Sequence, residues 1–142
     1  MDSIIAGIFK KTYRHINFED VQYAIQHPDD FIIINTLPAT DQECLILKTV
    51  PYISEENIIN QLLQNYDYSS KQFIIYGKNI GDDCCEKKAK QLVSLGFSNV
   101  FIYMGGLFEW LLLQDIYGSN EFPTTKKQLD ILKYKPLRQL RL

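Results

Sequence analysis

The residues best equipped for chemistry in this 142-residue chain stand together in "YGKNIGDDCCEKK", residues 76–88. Two adjacent cysteines, Cys84 and Cys85, follow two aspartates and a glycine-containing turn, and the apolar run Phe73-Ile74-Ile75-Tyr76 leads into that turn. A strand that feeds a loop at a helix N-terminus presents backbone N–H groups where α/β proteins bind anions and mount nucleophiles. A thiol in that position can be acidified by the helix dipole and react as a thiolate. The local charge opposes this, because Asp82, Asp83 and Glu86 disfavour a further anion beside them. Cys85 also falls on an apolar helical stripe with Ala89, Leu92 and Val93, where a small hydrophobe is the ordinary occupant. Core packing is therefore the reading for Cys85, and Cys84 is kept as the alternative nucleophile. Lys78 and Asn79, with the Gly81 backbone, could hold an anion, yet the spacing is not that of a phosphate loop, and a solvated turn is favoured.

The other candidates are weaker. Cys44 makes the cysteine count odd, with no framework spacing, which argues for reduced thiols in a cytoplasmic compartment and for Cys44 as a packing residue. His15 and His27 are isolated from each other and from the cysteines, so no metal site and no cofactor is expected. They read as a strand-edge and a helix-end residue. A net charge of −2 gives no global reason to expect nucleic acid as a partner. The opening "MDSIIAGIFKK" is too short an apolar run for a membrane span.

The elements that must carry these residues follow from periodicity. "NFEDVQYAIQHP" predicts a short helix capped by Asn17 and stopped at Pro28. "FIIINT", "QFIIY" and "NVFIY" are unbroken apolar runs of the kind found in parallel strands covered on both faces. "LILKTV" is a further short strand candidate, limited by Pro51. "SEENIINQLLQNY" predicts a helix capped by Ser54 with Ile58, Ile59, Leu62, Leu63 and Tyr66 on its apolar stripe. "DDCCEKKAKQLVSLG" predicts another, capped by Asp82 or Asp83 and ended by Gly96, and "FEWLLLQDIYG" a terminal one stopped at Gly118. The alternation implies one α/β domain over residues 1–125, with residues 126–142 as a C-terminal extension that packs on it or contacts a partner.

The ordered set "FIIINT", "FIIYG" and "LGFSNVFIYMGGLFEW" resembles the rhodanese family over most of residues 14 to 113. Its most specific part is "GFSNVFIYMGGLFEW", where Gly96, Phe97, Asn99, Val100, Gly105, Gly106 and Trp110 fall in the family's order. The resemblance implies a central, mainly parallel sheet of about five strands with helices on both faces. It also implies an active loop whose first residue is a cysteine that carries sulfur as a persulfide. That position is Gly77 here, which has no side chain with which to attack. The residues Lys78, Asn79, Ile80, Gly81, Asp82 and Asp83 would then form a vestigial active loop. The family's Asp-x-Arg brace is replaced by Asn35-Thr36-Leu37, and its Gly-His-Ile-x-Gly-Ala segment by "CLILKTVPY". The expectation is a non-catalytic rhodanese-like module for protein interaction or small-ligand binding, working with an unidentified protein partner. The alternative is a divergent sulfurtransferase or a phosphatase using Cys84.

Overall fold

The three unbroken apolar runs all become strands, and they bring a fourth with them. In the computed structural model, which describes residues 13–140, β1 (Tyr13–Ile16), β2 (Phe31–Asn35), β3 (Gln72–Tyr76) and β4 (Val100–Tyr103) form one sheet in the order β1-β4-β3-β2. Every ladder is parallel. Among the described residues four α-helices separate and follow the strands: α1 (Phe18–Gln26), α2 (Tyr52–Gln64), α3 (Cys84–Ser94) and α4 (Gly106–Tyr117).

Side chains alternate across each strand, and the helices divide between the two faces accordingly. Ile33, Ile74, Tyr76 and Tyr103 join Val21 and Ala24 of α1 and Leu107, Trp110 and Leu111 of α4 in one core. Ile32, Ile34, Phe73, Ile75 and Ile102 join Cys85, Ala89 and Leu92 of α3 in the other, with Ile58, Ile59, Leu62 and Leu63 of α2 packed at its edge. Cover on both faces is why the strands show no polar alternation. Helix α1 starts as expected: Asn17 accepts from the Glu19 and Asp20 N–H groups, and the Asp20 carboxylate returns a bond to the Asn17 N–H.

Three expectations need correction. The sheet has four strands among the described residues, where about five were expected, because "LILKTV" does not become a strand. Lys48 takes a φ of 71°, which turns the chain, and the segment pairs only through isolated bridges, Ile33 to Thr49 and Ile46 to Thr124. Helix α2 begins at Tyr52 with Pro51 at its N-cap, so Ser54 lies inside the first turn and its N–H donates to the Pro51 carbonyl at 2.9 Å. Tyr66 leaves the apolar stripe: the helix ends at Gln64, Tyr66 has a φ of 54°, and its side chain is exposed. The opening "MDSIIAGIFKK" lies outside the described residues.

Beyond α4 the chain returns over the first core. The Thr125 N–H donates to the Leu45 carbonyl, and the Leu47 N–H to the Pro123 carbonyl. A short 3-10 turn, Ile131–Tyr134, buries Tyr134. Residues 135–140 are irregular.

Candidate functional site

The loop from Gly77 to Asp83 joins the C-terminal end of β3 to the start of α3, at the edge of the sheet where parallel α/β folds place their sites. Its backbone is held from the side of α4. The Leu107 N–H donates to the Gly77 carbonyl at 2.9 Å and the Phe108 N–H to the Lys78 carbonyl at 2.8 Å. The approach depends on Gly106, which has a φ of 67° and whose missing Cβ would stand 2.7 Å from the Gly77 oxygen. Trp110, one turn along α4, is fully buried and donates through its indole N–H to the Pro123 carbonyl at 3.1 Å.

Within the loop, Asp82 turns inward. Its carboxylate accepts from the Lys78 N–H at 3.2 Å and from the Cys84 N–H at 2.9 Å. Those are the kind of donors an anion would use at this helix start, and here a side chain of the same loop takes them. The carboxylate stands where a side chain at position 77 would have to go. A Cβ built on Gly77 meets an Asp82 carboxylate oxygen, lies 2.8 Å from the Asp82 Cγ, and lies 2.9 Å from the Thr36 Oγ1. Asn79 shapes the turn by accepting from the Gly81 N–H at 2.8 Å. Ile80 is exposed at the tip, and Asp83 is exposed at the N-cap of α3 without making a side-chain cap bond.

Both cysteines of the pair have surroundings that favour the protonated thiol. Cys84 is exposed, but a hydrogen bond to the Asp82 carboxylate, with the like-signed field of Asp82 and Asp83, holds its thiol above the ordinary range. Cys85 is buried in the second core, and burial pushes its thiol up to about 11. Its sulfur lies 3.6 Å from the Thr36 hydroxyl, within hydrogen-bond reach for sulfur. Cys44 is buried and donates to the Lys126 carbonyl at 3.1 Å. Asp82, Asp83 and Cys84 bring ligand-type atoms within 4.8 Å of one another, a grouping the sequence reading did not single out. Exposed acidic groups of this kind are common without an ion. His15 lies on β1, the edge strand, and His27 forms the C-cap of α1, so neither reaches the loop.

The neighbouring loop after β2 is braced at its start by neutral amides. Asn35 accepts from the Leu37 N–H and exchanges two amide hydrogen bonds with Gln42, at 2.8 and 3.1 Å. Two participants were invisible to sequence reasoning. Asp41 pairs with both Lys78, at 3.6 Å, and Lys133, at 3.3 Å. The Asn79 amide donates to the Tyr134 carbonyl at 2.8 Å, which ties the loop to the chain 55 residues later. No local signal marks contacts across that separation.

Among solved structures the chain superposes on a protein tyrosine phosphatase of the Rhodanese family from yeast, Ygr203w, with a TM-score of 0.57 and 13% identity over 80% of this chain and 92% of that one. The fold is rhodanese-like. The BH2092 protein of Bacillus halodurans matches with a TM-score of 0.55 and 21% identity over 82% of each chain. The Alr3790 protein of Anabaena sp. gives 0.54 and 21%, over 77% of this chain and 89% of that one. No protein-family model matches the sequence, and no curated protein matches it. In this rhodanese-like fold the β3–α3 loop lies between the buried second core, on the α3 side, and the N-terminus of α4. Among the described residues no helix is long and apolar enough to cross a membrane.

Proposed function

We propose that this chain is a non-catalytic rhodanese-like module that acts by binding, with a protein partner or a small ligand meeting the surface around Gly77–Asp83. The observation that carries the reading is the Asp82 carboxylate, which takes the loop N–H groups and the space beside Gly77. A substrate anion would have to displace a tethered carboxylate, and no side chain at 77 would be there to attack it. The cavity at the loop mouth, about 640 Å³, is lined by Thr36, Lys78, Asn79, Asp82 and Cys84 on the domain side and by Leu132, Lys135 and Leu137 on the other. Mixed polar and apolar walls of this size suit a peptide segment or small ligand. Residues 1–125 form the domain in this reading, residues 126–142 an extension whose described part folds back on it, and a reducing cytoplasmic compartment suits its three thiols.

The test is turnover. Thiosulfate:cyanide sulfurtransferase and aryl-phosphate hydrolysis assays are run on the wild type, Cys84→Ser and Cys85→Ser, with intact-mass measurement after thiosulfate treatment. The expected result is no turnover above the protein-free rate and no persulfide. Turnover that vanishes in Cys84→Ser, with a sulfur adduct on Cys84, would establish the enzyme reading instead.

A further inference from the structure

Charge in this chain is segregated along the sequence. Residues 126–142 hold six lysines and arginines against the single acid Asp130, a net of +5; with −2 for the whole chain, residues 1–125 carry −7. The basic segment is also unusually apolar at its surface. Leu129, Leu132, Leu137 and Leu140 are 82%, 65%, 81% and 82% exposed. Single exposed leucines are ordinary, but four on one short segment interleaved with exposed cations are not.

The segment is tied to the domain as far as Tyr134. Tyr134 is buried against the first core, Asn79 holds the Tyr134 carbonyl, and Cys44 donates to the Lys126 carbonyl. With Tyr134 turned inward, its neighbours turn out, and Leu132, Lys133, Lys135 and Leu137 border the same opening. The acid lining that opening is Asp82, whose oxygens already accept loop N–H groups, and Asp41 pairs with two of its lysines, Lys78 and Lys133. Lys126, Lys127, Lys135 and Arg138 remain exposed around them.

We infer that the face built by residues 126–140 docks the domain on an anionic phospholipid surface, with leucines entering the interface and lysines and Arg138 meeting the headgroups. Charge complementarity selects an anionic partner, and the leucines select a bilayer over a folded acidic protein. Leu129, Leu137 and Leu140 protrude from irregular chain and Leu132 from a single 3-10 turn, so the four form no helical stripe; a bilayer interface accepts separate apolar side chains flanked by cations. The −7 body would orient itself away from such a surface, which fixes one docking face.

The test is flotation of the full chain with neutral phosphatidylcholine vesicles and with vesicles containing about one-third phosphatidylserine. Binding to the anionic vesicles alone, reduced by high salt, is expected. Lys135→Glu with Arg138→Glu should weaken it at least about tenfold, and Leu137→Ser with Leu140→Ser about fivefold. Unchanged thermal melts certify the fold of both variants, whose substituted side chains are exposed. Absence of vesicle binding, equal binding to neutral vesicles, or wild-type binding by both variants overturns the inference. So does capture of an acidic protein through this face without vesicle association.

Discussion

Asp82 places its carboxylate in the space that a side chain at Gly77 would need, which couples the two positions. Gly77→Cys alone should therefore destabilise the protein by about 1–3 kcal/mol, as overpacking of a filled site does. Asp82→Ser alone gives up two backbone bonds and should cost about 1–2 kcal/mol. Combined, the two should cost less than their sum by about 1 kcal/mol or more in urea denaturation. Strict additivity would show that Asp82 is free to move aside.

The Cys84 thiol should react slowly with iodoacetamide at mildly alkaline pH, because Asp82 holds its pKa above the ordinary range. Asp82→Asn removes the charge and should lower the pH midpoint of alkylation and speed the reaction at fixed pH. Peptide mapping separates Cys84 from Cys85 and Cys44. An unchanged midpoint would put the cause elsewhere.

Cys85 makes a pH prediction of defined sign. Its folded pKa is raised from 9.0 to about 11 by burial, so the protonated thiol is the form the fold favours. Its contribution is fully present below about 9 and is lost as pH rises towards 11. Cys85→Ala should flatten the fall in stability across that window relative to wild type, read by denaturant midpoints. Buried tyrosines add their own slope in both proteins, so the difference between the two curves is the observable.

Gly106→Ala should cost about 2–3 kcal/mol, since φ is positive and the new methyl meets backbone atoms of Gly77, Lys78 and Asn79. Amide hydrogen exchange at Leu107 and Phe108, the two donors to the loop, should rise with it.

Tyr134→Ala removes a fully buried ring and should cost about 3 kcal/mol or more, while exposing Lys133 and Lys135 to trypsin under native conditions. Asn79→Ala should give the faster cleavage with a smaller loss of stability.

The parts legible in sequence were those written locally. The three apolar runs and the Asn17 cap needed only neighbouring residues to declare themselves, and Cys85 announced its burial by its place on the α3 stripe. What Asp82 does was not legible: its charge argued against an anion, but its inward turn depends on the Lys78 and Cys84 amides being unclaimed, a fact of three-dimensional loop geometry. "LILKTV" failed as a strand for a similar reason. Its partners are Thr49's neighbour on β2 and residues 123–125, some 80 positions away, and no window of sequence contains both.

The strand order has a consequence for how the chain is made. β1 has β4 as its sole neighbour in the described sheet, so it waits for Val100–Tyr103 before it can pair. On a ribosome the growing chain would carry an unpaired edge through most of its synthesis, with β2 and β3 able to zip first. Polar Arg14 and His15 on that strand guard the same edge while it waits and after the sheet is complete.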